Sequence, residues 1–291
     1  MRKPATLTAL FLAVAALSLS QATPAQAQAQ AQAKAKTKTA EKAPVGKEPK
    51  LADVPQKTRD FCHSYGEKKN EIVLLLIDRT TEFKPNSATA EKIRAATDRA
   101  LDLLKPQQRL VVHNLSNDPN KRAKLFDSCR PGMEKSIFKA PLSPDETRKL
   151  DNSKEDFTQH LRQQIEAEIA YPRKDSPSAI VDTLVFQTRL GKDEKIAGLV
   201  IASDMIDNHI LGMKSPFPPI GERQRFEMVD KLASAGQLAK LELDTTVHIF
   251  GFGVIDEPDR TQLNLDTRDS YEKFWREFFA RSRTKVPPKF E

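Results

Sequence analysis

Oxygen-bearing side chains directly follow a strongly apolar run of the chain. The run Ile72–Ile77 ends at Asp78, and Thr80 and Glu82 come next at alternate positions. Carboxylate and hydroxyl oxygens are hard ligands, which suit Mg²⁺, Ca²⁺ and Mn²⁺ better than the softer metals. The spacing therefore predicts a divalent-cation site at the end of a buried strand. We expect Mg²⁺ there, with Mn²⁺ or Ca²⁺ as alternatives.

A second apolar run, KIAGLVIASD, also stops at an aspartate, Asp204, and two serines, Ser176 and Ser178, precede a helical pattern. In sheets of parallel strands, ligands bind beyond the carboxyl ends of the strands, where the strand order reverses. Asp78 and Asp204 each end a strand at that edge of the sheet. The predicted metal ligands are therefore these two aspartates, Thr80 and Glu82 of the first cluster, and Ser176 or Ser178.

Two other interpretations of these side chains stay open. Asp78 and Asp204 can each cap a turn, and Ser176, which proline follows, can cap a helix. A strand that ends in aspartate also resembles the phosphatases that use Asp-x-Asp-x-Thr. Here the third position is Thr80, so the acid–base carboxylate of that reaction is missing. We therefore expect a protein that is not an enzyme and has no catalytic residues.

The segments that must position these side chains alternate between strand and helix patterns. Short apolar runs predict strands, and apolar residues at helical spacing predict helices. The predicted strands are 71–78, 108–116, 124–129, 195–204 and 245–254, and the predicted helices are 87–104, 144–170, 176–190, 223–236 and 266–282. The strand at 124–129 is expected at an edge. This alternation indicates an α/β fold with a mostly parallel sheet and helices on both faces.

Apolar stripes mark the helix faces that are expected to pack on the sheet. Helix 223–236 is expected to bury Phe226, Val229, Leu232 and Ala233. The last helix carries five aromatic residues at helical spacing, which is typical of a core face: Tyr271, Phe274, Trp275, Phe278 and Phe279.

In their order along the chain, these motifs resemble those of von Willebrand factor A-like (vWA-like) domains, across roughly residues 70–283. Such domains carry Asp-x-Ser-x-Ser after the first strand, a Thr or Ser at a helix start midway, and an Asp, usually in Ser-Asp-Gly, after the fourth strand. Here the three positions hold Asp78-Arg79-Thr80-Thr81-Glu82, Ser176 or Ser178, and Ser203-Asp204-Met205. Glu82 stands where the family has a second serine, and Met205 stands where it has a glycine.

The resemblance implies a three-layer Rossmann-like vWA fold for residues 59–291 and a metal-ion-dependent adhesion site. It implies binding to a protein partner. In the family, an acidic residue of the partner often completes the set of metal ligands. Glu82 would either ligate the metal as a third carboxylate, which would make the site less dependent on that residue, or reshape the loop. Two alternative functions remain: a metal-free vWA-like scaffold that docks an envelope partner and, as the weaker alternative, a phosphatase-like hydrolase.

Residues 1–27 have the pattern of a secretory signal peptide. Arg2 and Lys3 precede an apolar stretch, Leu7–Leu19, and Ala-Gln-Ala at 25–27 is a small-residue cleavage site. The stretch is too short to span a bilayer, and no later segment is apolar enough to do so. We expect an exported protein, periplasmic or secreted, with no transmembrane segment after cleavage. Residues 28–58 form a low-complexity Lys/Ala/Gln linker.

The net charge of +7 lies mostly outside the predicted domain. Residues 1–27 carry +2 and residues 28–58 carry +4, which leaves +1 from Arg59 onward. A nucleic-acid-binding domain concentrates positive charge on one folded face, so we expect no nucleic acid as a partner. The basic linker is expected to be at most weakly attracted to anionic envelope surfaces.

The chain has two cysteines, Cys62 and Cys129. In an exported protein an even number of cysteines favours a disulfide. We predict a Cys62–Cys129 bond, which would contribute about 3–4 kcal/mol by restricting the unfolded chain. The alternative is a catalytic thiol with a histidine partner. The five histidines show no spacing typical of a zinc site.

Overall fold

The computed structural model describes residues 70–79, 84–115, 124–133, 141–170, 178–189, 193–213, 217–254 and 263–291. The predicted signal peptide (1–27) and linker (28–58) lie outside these ranges, as do Cys62, Thr80, Glu82 and Ser176. What was predicted for those residues therefore stays a prediction.

Within the described ranges the chain forms six strands and five helices. The strands are β1 (Glu71–Asp78), β2 (Arg109–Leu115), β3 (Lys124–Cys129), β4 (Lys195–Ala202), β5 (Thr246–Phe250) and β6 (Lys289–Phe290). The helices are α1 (Ala88–Leu103), α2 (Pro144–Ala170), α3 (Ile180–Gln187), α4 (Glu222–Ser234) and α5 (Leu265–Arg281). All ten predicted segments are present. The short strand β6 was not predicted, because two residues carry no periodic pattern.

The strands form one sheet in the order β3-β2-β1-β4-β5-β6. β3 runs antiparallel to β2, and the other neighbouring strands run parallel. The predicted edge position of β3 is confirmed. The strand order reverses between β1 and β4, because β2 and β3 lie on one side of β1 and the later strands lie on the other. In open α/β sheets, such a reversal marks the crevice in which ligands bind.

Alternate residues of β1 pack into two hydrophobic cores, one on each face of the sheet. The even-numbered residues of Ile72–Leu76 join side chains of α3, α4 and α5. The odd-numbered residues of Val73–Ile77 join side chains of α1 and α2. β1 is therefore buried on both faces, as its unbroken apolar run predicted. The predicted α/β fold, with a mostly parallel sheet and helices on both faces, is confirmed.

The starts of α1 and α2 follow from side chains that cap them. Ser87 Oγ accepts a hydrogen bond from the Ala90 N–H at 3.3 Å. At α2, the Ser143 N–H donates to Glu146 Oε2 at 2.8 Å, and the Glu146 N–H donates to Ser143 Oγ at 3.3 Å. This reciprocal pair is a capping box, which satisfies backbone donors at the helix start.

The aromatic stripe of α5 is buried, as predicted. Its five aromatic side chains are at most 2% exposed: Tyr271, Phe274, Trp275, Phe278 and Phe279. The Trp275 ring makes edge-to-face contacts with Phe274 at 5.2 Å and Phe278 at 5.4 Å between centroids. This geometry is favourable because the positive edge of one ring meets the negative face of the next.

Two predictions about helix faces and ends were wrong. The helix predicted at 176–190 begins at Ile180, with Ala179 as its N-cap residue, so its predicted start was four residues too early. Phe226 is 41% exposed rather than buried, and the Arg225 guanidinium lies 5.2 Å from the centre of its ring. α4 buries Val229 and Leu232, so its contact with the core is narrower than its apolar pattern predicted.

A charged cluster joins β2 and β3 near the amino ends of the parallel strands. Arg109 donates two hydrogen bonds to the Asp127 carboxylate and one, of 2.8 Å, to Glu194, and Lys124 donates to Asp127 at 2.8 Å. Burial alone would raise the pKa of Asp127. The hydrogen bonds from Arg109 and Lys124 outweigh that effect and lower the pKa from its ordinary value of 3.8.

We expect Asp127→Asn to lower the free energy of unfolding at pH 7 by about 1.5–3 kcal/mol, the usual worth of hydrogen bonds to a charged group. Because the folded pKa is lowered, this stabilisation is complete above the unfolded pKa and is lost as the pH falls through the folded pKa. Urea unfolding at pH 7 and at about pH 2.5 measures the change. A gap between wild type and variant that does not narrow on acidification would contradict it.

Candidate functional site

The predicted site lies at the carboxyl edge of the sheet, where the strand order reverses. Asp78 is the last residue of β1, and Ser203 and Asp204 directly follow β4. The ladder between these strands runs up to the pair Ile77–Ala202, so Asp78 and Ser203 leave the sheet side by side.

Asp78 binds two serine hydroxyls that come from two other segments of the chain. The Ser203 hydroxyl donates to Asp78 Oδ2 at 2.7 Å, and the Ser178 hydroxyl donates to the same oxygen at 3.2 Å. Both serines are buried and Asp78 is half-buried. Ser203 lies 125 positions after Asp78 along the chain, and Ser178 lies 100 positions after it. One carboxylate oxygen thus joins the end of β1, the start of α3 and the end of β4.

Asp204 is held by its own backbone turn and by the loop after β5. Its Oδ1 accepts a hydrogen bond from the Ile206 N–H at 2.9 Å. Its carbonyl oxygen accepts one from the Gly253 N–H at 3.0 Å. The side chain is half-buried, and the turn orients it. The predicted ability of Asp204 to cap a turn is confirmed by this geometry.

Met205 occupies a backbone conformation that favours glycine. Its φ is +61°, in the left-handed region where a Cβ is costly. Three contacts hold it there: its N–H donates to Ser203 Oγ at 2.9 Å, its carbonyl accepts the Trp275 indole N–H at 3.0 Å, and its side chain is fully buried in the core of α3–α5. Met205 therefore lacks the backbone freedom of glycine at this position, and the burial of its apolar side chain offsets that cost.

Asp207 is fully buried, although it lies in the polar segment DMIDNH. Its Oδ2 accepts the Val181 N–H of α3 at 2.9 Å. Its Oδ1 accepts three backbone N–H groups at 2.8–3.1 Å, those of His209, Ile210 and Leu211. Burial raises the pKa of Asp207, against the effect of these donors. Asp207 therefore supplies the cap that Ala179 cannot and ties the loop after β4 to α3.

Replacing Asp207 by asparagine is expected to cost about 1–3 kcal/mol, because the amide cannot accept every one of these buried N–H donors. Urea unfolding measures the loss, and amide exchange should quicken at the start of α3 and in residues 207–213. Asp182→Asn is the matched control. Asp182 contacts His209 at 2.7 Å, but both side chains are about a third or more exposed, so its loss should cost under about 1 kcal/mol. Equal losses in the two variants would contradict the assignment.

The structure brings two of the six predicted metal ligands, Asp78 and Ser178, into direct contact and places Asp204 next to Ser203. Thr80, Glu82 and Ser176 lie outside the described residues, so their roles stay predictions. Ser203 was missed as a member of the site, although it was part of the Ser-Asp motif. Its position directly after a buried strand was the signal.

The predicted disulfide has one cysteine in the described structure. Cys129 ends β3 and is 5% exposed, and Cys62 lies outside the described residues. The pairing stays a prediction.

The oxygen donors around Asp78 have the chemistry that Mg²⁺ takes. A hydroxyl has one hydrogen to donate and two lone pairs. Ser178 and Ser203 give their hydrogens to Asp78, and Ser203 uses one lone pair for the Met205 N–H, so each oxygen keeps a lone pair for a cation. Mg²⁺ keeps several waters and needs one or two carboxylates. Across the described residues, no cluster of three or more His, Cys, Asp or Glu side chains is placed to hold a metal ion.

Arg79 and Glu168 are charged residues near the site that gave no signal in the sequence. Their side chains are each 1% exposed, and Arg79 Nε lies 3.9 Å from Glu168 Oε1. Arg79 also donates to the Ile169 carbonyl at 3.2 Å. The contact ties the residue after Asp78 to the last turn of α2.

Comparison of the chain with protein-family models, curated proteins and solved structures returned no match. Nothing in these comparisons connects the chain with an enzyme family. The vWA-like resemblance therefore continues to rest on the order of its motifs. Among the described helices, none combines the length and the apolar character that crossing a membrane requires.

Proposed function

We propose that this chain is an exported vWA-like protein-binding module with an altered divalent-cation site at the carboxyl edge of β1 and β4. Asp78, Ser178, Ser203 and Asp204 would hold the cation. The observation that carries the proposal is the convergence of two serine hydroxyls on Asp78 Oδ2, at 2.7 and 3.2 Å.

The positions of these residues in the fold support the proposal. An aspartate ends the first strand, a serine precedes a helix midway along the chain, and an aspartate follows the fourth strand. The vWA-like resemblance assigns its metal ligands to these three positions. Strand order adds support, because the residues meet where the order reverses and ligands bind in open α/β sheets.

A bound Mg²⁺ would supply a positive charge that an acidic side chain of a protein partner can contact. The residues of this chain would prepare that contact. Asp78 orients the two hydroxyls, the turn at Asp204 orients a second carboxylate, and the hydrophobic cores on both faces keep the strand ends in place. The partner is unidentified, and export rests on the predicted signal peptide.

A metal-free scaffold is the second candidate, and one observation favours it. Asp78 Oδ2 and Asp204 Oδ1 already accept hydrogen bonds within the domain, so the same side chains can serve to tie loops together. In that case the domain would dock an envelope partner without a cation.

Mg²⁺ is expected to raise the melting midpoint of the purified protein, because a ligand that binds the native state alone stabilises it. At a concentration of about one hundred times Kd, the gain is about 2.7 kcal/mol, or roughly 5–10 °C for a domain of this size. Thermal unfolding in EDTA, and then in excess Mg²⁺, gives the shift. NaCl at matched ionic strength is the control for screening. Equal midpoints in EDTA and Mg²⁺ would favour the scaffold.

A further inference from the structure

We infer that the buried Arg79–Glu168 pair positions Asp78, so that the last turn of α2 sets the cation affinity of the site. The inference rests on the proposed function and deepens it by naming what controls the site from outside. Neither residue is expected to touch the cation.

The first observation is the chain geometry at the end of β1. Arg79 follows Asp78 directly, so the two residues share a peptide unit. Its guanidinium lies 3.9 Å from Glu168, with both side chains 1% exposed, and it donates to the Ile169 carbonyl at 3.2 Å. A displacement of this guanidinium would move the backbone that carries Asp78.

The second observation concerns the segment that links β1 to α1. The described end of this segment, just before α1, also contacts the last part of α2. Arg94 of α1 donates to both carboxylate oxygens of Glu166, at 2.7 and 2.8 Å, and to the Pro85 carbonyl at 3.2 Å. Pro85 lies just ahead of α1. Residues 166–169 of α2 therefore hold the chain both directly after Asp78 and shortly before α1.

The two contacts differ in strength because they differ in burial. Arg94 and Glu166 are 38% and 51% exposed, so water and salt screen their attraction. Arg79 and Glu168 are almost entirely removed from water, where each charge depends on its protein partners. Arg79 is also the residue next to Asp78, so its contacts with Glu168 and the Ile169 carbonyl bear most directly on the backbone at Asp78.

As a consequence, a displacement of α2 would be transmitted to the site. α2 runs from Pro144 to Ala170, and most of its residues face solvent. Anything that shifts the last turn of this helix would shift Arg79 and, through the shared peptide unit, Asp78. Cation affinity would then respond to contacts made on α2.

The test is Mg²⁺ titration calorimetry of wild type and Glu168→Gln, with thermal unfolding of both. Removing a group that supports a metal ligand typically weakens metal affinity by 10–100-fold. We expect Kd for Mg²⁺ to rise at least tenfold in Glu168→Gln. Arg79→Lys, which keeps the charge, is expected to show a smaller rise.

Two controls separate positioning from stability. Asp127→Asn makes the same change in charge and breaks an arginine pair at the opposite edge of the sheet, so it should lower the melting midpoint and leave Kd within twofold of wild type. The double variant Arg79→Met/Glu168→Leu removes both charges while keeping apolar volume. It should melt near wild type and still bind Mg²⁺ at least tenfold more weakly.

Three outcomes decide the matter. If a folded Glu168→Gln variant, or the stable double variant, binds Mg²⁺ with the same Kd as wild type, the inference is overturned and the proposed function stays intact. An equal rise of Kd in Asp127→Asn would also overturn it, since the effect would then be general. Absence of binding by wild type would overturn the inference together with the proposed function.

Discussion

Trp275→Ala is expected to lower the free energy of unfolding by about 3–5 kcal/mol, the usual cost of emptying the space of a large aromatic side chain. Trp275 is fully buried and lies in edge-to-face contact with Phe274 and Phe278. It also donates to the buried Met205 carbonyl, next to Asp204. The substitution should therefore loosen both the core of α5 and the turn after β4. Urea unfolding measures the stability, and amide exchange at residues 203–206 measures the turn.

Trp275→Phe is the matched control, because it keeps an aromatic ring and removes the indole N–H. We expect a loss of about 1–3 kcal/mol from the unpaired carbonyl and the smaller ring. A loss below about 1 kcal/mol in Trp275→Ala would show that this side chain does not fill the core. Unchanged exchange at residues 203–206 in both variants would show that it does not hold the turn.

Glu168→Leu is expected to destabilise the protein by about 3–5 kcal/mol, because it leaves the Arg79 charge buried beside an apolar side chain. Arg79→Met in the same chain should recover most of that loss, since replacing a buried pair by apolar residues of similar volume is often neutral or stabilising. Urea unfolding of the two single variants and the double variant forms a mutant cycle that isolates the pair.

Additive losses in that cycle would contradict the pairing. If each single variant costs little, other groups of the protein compensate the charge that remains. Exposed pairs elsewhere in the chain provide the comparison. Arg148 and Asp145 are 75% and 76% exposed, and breaking their contact should cost under about 1 kcal/mol.

The main elements of the fold were predictable because their signals are local. The apolar run of β1 predicts a strand that is buried on both faces, and the aromatic stripe within Tyr271–Phe279 predicts a helix that faces the core. The capping residues Ser87 and Ser143 stand at the starts of their helices. Each of these signals depends on neighbours within a few residues, which the sequence displays directly.

Strand order and the partners of buried side chains were harder to predict from the sequence. Asp207 lies in a polar segment, yet it is fully buried because α3 begins without a capping side chain and its N–H groups need an acceptor. The start of α3 was misplaced for the same reason. Arg79 meets Glu168 across a separation of 89 positions, and no local pattern marks such a pair. Phe226 follows a helical apolar pattern but is exposed, because α4 presents a narrower face to the core.

The candidate site was predicted in part. The sequence placed Asp78 and Asp204 at one edge of the sheet and left Ser176 and Ser178 as alternatives. Ser178 donates to Asp78, and Ser176 lies outside the described residues. The role of Ser203 became visible only with the distance between its hydroxyl and the same carboxylate. Residue types and strand ends are therefore readable from the sequence, whereas shared hydrogen bonds require the fold.

The central claim is that Asp78 anchors a divalent-cation site. Titration calorimetry of Mg²⁺ into the purified protein, made metal-free, tests it most directly against Asp78→Ala. Asp151→Ala, which removes a carboxylate that is 62% exposed on α2, is the control for general loss of negative charge. We expect saturable heat of binding in wild type and Asp151→Ala, and none in a folded Asp78→Ala. No heat in wild type, or equal heat in all three proteins, would contradict the claim.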